Sequence, residues 1–173
     1  MSTEGGLATD LGNVIIAYWL SDITPENFHL IDYNSIPEVP GAFESLKRLN
    51  RAFNGNVAVI YKATGVAHTK IHQWLYYHRF SERTGISMNH VIHSKGGRNK
   101  ALHLNELNQN YQSITTMVDD RLEVLSYFVG KVPNLFLFRP QSNEVEQFRN
   151  TGALPYVKIV QTWIEIEEIL KVT

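Results

Sequence analysis

Short continuous apolar runs alternate with longer stretches whose apolar residues recur at helical spacing. The clearest runs predict strands at about 6–10, 57–61, 114–118 and 135–138, and weaker ones predict strands at 91–92 and 157–160. Because the strong runs have no polar alternation, we expect both faces of these strands to be covered. The run Val14–Leu20 is also apolar and β-prone, and it predicts the start of a hairpin.

Helical spacing fills the segments between these strands. Phe43, Leu46, Leu49 and Phe53 have the spacing of one helix face. Further helices are predicted at about 68–78, 100–107, 121–128 and 163–170. Strands that alternate with helices predict an α/β fold, a three-layer α/β/α sandwich with a mainly parallel, doubly wound, Rossmann-like sheet. No linker or repeat divides the chain, so we expect a single domain over residues 1–173.

Composition narrows the function classes. The chain has 173 residues and a formal net charge of −1, which gives no electrostatic case for nucleic acid or an anionic membrane. No apolar run is long enough to cross a bilayer. The sequence contains no cysteine, which excludes disulfides and cysteine-ligated zinc and is compatible with a cytoplasmic location. A homo-oligomer is possible.

Acidic residues stand at the ends of two predicted strands. Asp10 follows the first strand, and Asp119 and Asp120 end the strand at 114–118. Open α/β sheets bind ligands at the carboxyl ends of their strands, so these three carboxylates are expected to converge there. Converging carboxylates repel one another, and a divalent cation such as Mg²⁺ would neutralise them. Lys100, at a predicted helix start, would suit an anionic ligand, and this set predicts a magnesium-dependent phosphoryl-transfer site.

The order of these residues resembles the haloacid dehalogenase-like superfamily. The segment Asp10-Leu11-Gly12-Asn13-Val14-Ile15 resembles the first motif of the family, Lys100 matches the third, and Val118-Asp119-Asp120-Arg121 resembles the fourth. The resemblance implies a hydrolase, a phosphatase in which Asp10 is the nucleophile and forms an aspartyl-phosphate. It further implies Mg²⁺ as cofactor, bound by Asp10, the Gly12 carbonyl and Asp119. Lys100 would be catalytic, because it would hold the phosphate and offset the charge on Asp10. Asn13 and Asp120 would support the phosphate or the metal.

Two positions depart from the family pattern. Gly12 stands where family phosphatases carry a second aspartate, their general acid and base, which is worth about 10²–10⁴-fold in rate. Tyr61 stands where a Ser or Thr is expected at the end of the second strand, and Thr64 is the nearest hydroxyl of that type. The resemblance therefore favours Thr64 as the catalytic hydroxyl that contacts the phosphate, with Tyr61 as a supporting residue. The motif spacing leaves room for a flap at about 14–40 and little more, so a small or absent cap is implied.

Two readings therefore remain open. The first is a phosphatase that acts on a phosphorylated small molecule or macromolecule. The second is a catalytically weak or inactive protein of the same fold that binds phosphate or a partner, which Gly12 and Tyr61 favour. His68 and His72 have a metal-ligand spacing on a predicted helix, but the pattern is more typical of a solvated helix face.

Overall fold

The computed structural model describes residues 3–24, 26–63, 65–94, 100–110 and 113–172. Within these residues six strands form one fully parallel sheet in the order β3-β2-β1-β4-β5-β6. The strands are β1 Gly6–Thr9, β2 Val57–Tyr61, β3 Val91–His93, β4 Ile114–Asp119, β5 Asn134–Phe138 and β6 Val157–Val160. The predicted strands and their mainly parallel arrangement are confirmed.

Helices connect the strands on both sides of the sheet. They are α1 Ala42–Ala52, α2 Gly65–Tyr77, α3 Phe80–Thr84, α4 Leu104–Asn110, α5 Leu122–Ser126, α6 Ser142–Gln147 and α7 Trp163–Leu170. Short 3-10 helices lie at Tyr18–Leu20, Tyr33–Ser35, Met88–His90, Lys100–His103, Arg149–Thr151 and Leu154–Tyr156. In the part of the chain that the structure describes, no helix combines the length and the apolar character of a membrane-spanning segment.

Alternate residues of the strands point into two separate cores. One core joins Val57, Val59 and Tyr61 of β2 to the buried faces of α1, α2, α3 and α7. The other joins Ala58 and Ile60 of the same strand to α4 and α5. Successive side chains of a strand point to opposite faces of the sheet, so a strand buried on both faces must be apolar at every position. This confirms the three-layer architecture.

The segment after β1 is held over the carboxyl edge of the sheet by two buried tryptophans. Trp163, the first residue of α7, donates through Nε1 to the carbonyl of Val14 at 2.8 Å. Trp74 of α2 donates in the same way to the carbonyl of Ile36 at 2.8 Å. Thr162 caps α7 by accepting from the backbone N–H of Glu165, which fixes where that helix begins. The loop is therefore anchored at both of its ends.

The hairpin that we expected from Val14–Leu20 is wrong. Residues 14–17 are fully buried but form only isolated bridges, from Ile16 to Gly12 and to Glu38, and residues 18–20 are a 3-10 helix. The Leu11 carbonyl accepts from the N–H groups of both Ile15 and Ile16, and this tight turn draws the chain back to the sheet. The apolar character of the run reflects burial beneath the loop rather than pairing as a strand.

Candidate active site

The topological switch point of the sheet lies between β1 and β4, because strands are added on one side of β1 up to β3 and on its other side from β4 onward. β2 and β3 lie on one side of β1, and β4 and β5 on the other, so a crevice opens at the carboxyl ends of β1 and β4. Thr9 pairs in register with Val118, and the N–H of Asp10 donates to the Val118 carbonyl at 2.8 Å. Asp10 and Asp119 are therefore neighbours because parallel strands end at the same edge.

Three carboxylates converge at this crevice. Asp10, Asp119 and Asp120 each offer an oxygen within 4.8 Å of the others, and they form a group that could hold a metal ion. Asp119 is fully buried, and burial raises the pKa of its carboxyl, with Lys100 opposing and Asp10 adding to that rise. Burial and the charges of the other two carboxylates also raise the pKa of Asp120. Such a cluster of hard oxygen donors fits Mg²⁺.

Lys100 bridges two of the carboxylates. Its Nζ lies 2.6 Å from Oδ1 of Asp10 and 2.8 Å from Oδ2 of Asp119, and the residue is only 4% exposed. Burial alone would lower the pKa of the ammonium, but the two carboxylates raise it above its usual range. Lys100 is therefore a fixed positive charge beside Asp10, where an anionic ligand would gain from it.

Hydrogen bonds also orient carboxylate oxygens of Asp119 and Asp120 that do not contact Lys100. The backbone N–H of Arg121 donates to Oδ1 of Asp119 at 3.0 Å, and Nδ2 of Asn13 donates to Oδ2 of Asp120 at 3.2 Å. Asn13 adopts a left-handed backbone with φ of 57°, which Asn tolerates better than most residues. Its Oδ1 is buried and has no hydrogen-bond partner among the described residues. Buried polar atoms are nearly always hydrogen-bonded, so a bound water would satisfy this oxygen.

Gly12 borders the crevice beneath an aromatic ring. A Cβ atom at Gly12 would lie 2.8 Å from Cε2 of Tyr18, closer than real Cβ contacts allow. The hydroxyl of Tyr18 shares a hydrogen bond with that of Tyr33, and the two rings meet edge to face at 6.0 Å. Burial is the main cause that raises the pKa of Tyr18 to about 12, so its phenol is neutral at physiological pH. Nothing in the sequence pattern pointed to Tyr18.

Tyr61 ends β2 and directs its phenol toward a histidine. Its hydroxyl lies 2.7 Å from Nδ1 of His68, and burial raises its pKa to about 12. The Tyr61 ring also stacks on His93, at the end of β3, with centroids 5.3 Å apart. His68 is half-buried in this contact rather than solvated, which corrects the expectation for that residue. Thr64, the other candidate hydroxyl, lies outside the described residues.

A cavity of about 150 Å³ opens between these groups. It is lined by Asp10, Leu11, Gly12, Tyr18, Tyr61, Lys62, Ile71, Lys100, Arg121 and Val124. The structure thus brings Asp10, Gly12, Tyr61 and Lys100 to one cavity, with Asn13, Asp119 and Asp120 behind it. The catalytic and metal-binding roles of these residues stay predictions.

Comparison with solved structures places this geometry in a known fold. No protein-family model and no curated protein matches the sequence. One similar structure, from Burkholderia xenovorans, is assigned as a haloacid dehalogenase-like hydrolase. It has a TM-score of 0.67 and 15% sequence identity over 98% of this chain and 99% of that one. Another is D,D-heptose 1,7-bisphosphate phosphatase from Burkholderia thailandensis, with a TM-score of 0.59 and 12% identity over 98% of this chain and 100% of that one.

Both similarities span nearly the whole of each chain, so they concern the complete sheet with its helices and not a local motif. The chain therefore has the haloacid dehalogenase-like fold, as the order of its acidic residues and lysine implied.

Proposed function

We propose that this protein is a Mg²⁺-dependent phosphatase that acts through an aspartyl-phosphate on Asp10. One observation carries the proposal. Asp10 stands at the switch point of the sheet in contact with Lys100, and the carboxylates of Asp119 and Asp120 lie within 4.8 Å of its own. A nucleophilic carboxylate, a fixed cation and a metal-binding acidic group are the parts that phosphoryl transfer requires.

The residues divide the chemistry among them. Asp10, Asp119 and the carbonyl of Gly12 would hold Mg²⁺, which supplies charge neutralisation for the phosphoryl group. Asp10 attacks phosphorus, and Lys100 stabilises the negative charge of the phosphoryl oxygens. Asn13 orients Asp120 through the hydrogen bond at 3.2 Å. Tyr61 and Thr64 remain the candidates for the hydroxyl that contacts the phosphate. The substrate is a phosphorylated small molecule or macromolecule, and the protein acts in the cytoplasm.

Hydrolysis of an aryl phosphate tests this assignment. We expect turnover with Mg²⁺, loss of turnover with a chelator, and loss in Asp10→Asn. Asp22→Asn, a change of the same kind at an exposed position, is the matched control and should keep full activity. Thermal denaturation of both variants checks that they are folded. Equal activity in Asp10→Asn and the control would overturn the nucleophile assignment.

A second candidate function is binding of phosphate or a partner without turnover. The Tyr18 ring against Gly12 favours it, because that position offers no acid or base to either chemical step. Phosphate titration followed by calorimetry, with and without Mg²⁺, separates the two. Binding that depends on Lys100, in a protein inactive toward every phosphate ester tried, would support the second candidate and exclude the first.

A further inference from the structure

A side chain at residue 12 would press on the wall of the cavity above Gly12, where the Tyr18 ring lies. The Tyr18 ring occupies the space into which a side chain at residue 12 would extend, with Cε2 2.8 Å from the position of a Cβ. Tyr18 is held from behind by Tyr33, a buried residue whose ring packs edge to face on Phe28 at 5.7 Å. Displacement of the ring would break the hydrogen bond between its hydroxyl and that buried neighbour. The absence of an acid at Gly12 is thus a feature of the packing.

The other cavity residues offer poor proton donors. Apart from Asp10, the ionisable groups among the described lining residues are the phenols of Tyr18 and Tyr61, two ammonium groups and one guanidinium. These classes ordinarily titrate at about pH 10 or above, far from the neutral range where a general acid is effective. The residues outside the described ranges include no Asp, Glu or His in the sequence. No lining group is therefore suited to protonating a departing oxygen. Asp120 lies within 4.8 Å of Asp10, but it does not line the cavity, and its Oδ2 accepts from Nδ2 of Asn13.

We infer that this site serves phosphoryl donors whose leaving group departs as a stable anion, such as acyl phosphates, aryl phosphates and phosphoanhydrides. Phosphate esters of ordinary alcohols, whose oxygen needs a proton to leave, are poor substrates. The inference rests on the proposed function, because it concerns the same cavity and the same nucleophile. It adds the class of substrate, which follows from the Tyr18 ring and the smallness of Gly12.

The reaction balances without a proton donor. The Asp10 carboxylate forms a bond to phosphorus as the bond from phosphorus to the leaving oxygen breaks, and that oxygen departs with the electron pair. Water then attacks phosphorus, the bond to the Asp10 oxygen breaks, and the carboxylate is restored. The proton lost by the water passes to solvent. Since no other group that lines the cavity is suited to act as a base in this second step, the phosphorylated enzyme accumulates during turnover of a good substrate.

A series of substrates that differ in leaving-group acidity tests the inference. The series is acetyl phosphate, 4-nitrophenyl phosphate, phenyl phosphate and glycerol phosphate, each with Mg²⁺. A positioned acid would flatten the dependence of kcat/KM on leaving-group pKa and is worth about 10²–10⁴-fold. We expect a steep dependence, with glycerol phosphate at least about 10²-fold below phenyl phosphate. Comparable values for these two substrates would overturn the inference.

Trapping of the phosphorylated enzyme supplies a readout other than turnover. After acid quenching of a reaction with acetyl phosphate, mass spectrometry should show one added phosphoryl group that hydroxylamine removes and that Asp10→Asn lacks. If acetyl phosphate neither labels Asp10 nor is hydrolysed, the proposed function fails. If Asp10 is labelled by acetyl phosphate and glycerol phosphate at equal rates, the proposed function stands and only the inference fails.

Variants distinguish the possible hidden proton donors. The contact of Tyr61 with His68 could relay a proton from the imidazole, so His68→Gln is compared with the parent protein. We expect both proteins to show the same steep dependence of kcat/KM on leaving-group pKa. A shallow dependence that becomes steep in His68→Gln would overturn the inference.

The double change Gly12→Asp with Tyr18→Ala makes room for an acid. It should raise the activity toward glycerol phosphate relative to phenyl phosphate, and an unchanged ratio in the folded double variant would count against the inference.

Discussion

Lys100 and Asp119 form an ion pair within the protein, with Nζ 2.8 Å from Oδ2 and both residues buried. The pair joins the 3-10 helix Lys100–His103 to the last residue of β4. Buried charges are costly to desolvate, and removal of one partner leaves the other uncompensated. The contact therefore holds the start of the 3-10 helix against the edge of the sheet. It also keeps the ammonium group of Lys100 beside Asp10.

Lys100→Met should destabilise the metal-free protein strongly. The change keeps the length of the side chain but leaves Asp10, Asp119 and Asp120 without their cation. We expect a loss of about 3–5 kcal/mol in the free energy of unfolding, the usual cost of breaking a buried pair. Urea denaturation measures it. Lys47→Met, at an exposed position of α1, is the control and should change stability by less than about 0.5 kcal/mol. Equal losses in the two variants would contradict the structural role given to Lys100.

The stability of the metal-free protein should fall as the pH rises. Burial and the neighbouring carboxylates raise the pKa of Asp120 to about 7, whereas an unfolded aspartate titrates near pH 4. The folded state then binds more protons than the unfolded state between about pH 4 and about pH 7, so each rise in pH across this window favours unfolding. Thermal denaturation from pH 4 to pH 8 in chelator measures the effect.

Asp120→Asn is the variant that checks the cause. It should flatten the pH dependence and stabilise the metal-free protein at pH 8, while the exposed change Asp22→Asn leaves the dependence as it was. A slope unaltered by Asp120→Asn would mean that another group is responsible.

Mg²⁺ should stabilise the protein, and more so at higher pH. Cation binding requires ionised carboxylates, and the raised pKa values of Asp119 and Asp120 favour the protonated form of both groups at low pH. With Mg²⁺ at 100 times its dissociation constant, the gain is about 2.7 kcal/mol. Melting curves at pH 5 and pH 8 with and without Mg²⁺ measure this, and Asp119→Asn should reduce the gain at both values. No gain at pH 8 would exclude the acidic cluster as a magnesium site.

Gly12→Ala should test the contact with Tyr18 directly. The added methyl meets the ring at 2.8 Å, and overpacking of this kind costs about 1–3 kcal/mol. Tyr18→Ala removes the ring, so the cost of the added methyl should largely vanish in the double variant. Urea denaturation of the parent protein, the two single variants and the double variant gives the free energies of unfolding for a double-mutant cycle. Strictly additive losses would show that the two residues do not press on each other.

Tyr61→Phe should destabilise the protein without disturbing its fold. The change removes the hydroxyl that bonds Nδ1 of His68 at 2.7 Å, and loss of such a bond costs about 1 kcal/mol. Tyr76→Phe, at a tyrosine 87% exposed on α2, should have almost no effect. Urea denaturation of both variants gives the difference, and equal stability of the two would indicate that the hydroxyl contributes nothing.

The periodicity of the chain was enough to predict the sheet and the convergence of the acidic residues at its edge. A strand such as Val57–Tyr61, buried on both faces, must be apolar at every position, and that pattern is visible in the chain. The position of Asp10 directly after one such strand and of Asp119 at the end of another then followed from parallel geometry. These features depend on local periodicity and a simple topological rule.

The side chains that surround those acids could not be predicted before the chain was seen folded. The Tyr18 ring over Gly12 and the contact of Tyr61 with His68 depend on the path of an irregular loop and on the rotation of α2, and neither leaves a periodic mark in the sequence. The run at residues 14–20 was wrongly predicted to start a hairpin, because burial beneath a loop and burial in a sheet select the same apolar residues. Contacts between segments distant in the chain are fixed by packing, which a linear pattern does not encode.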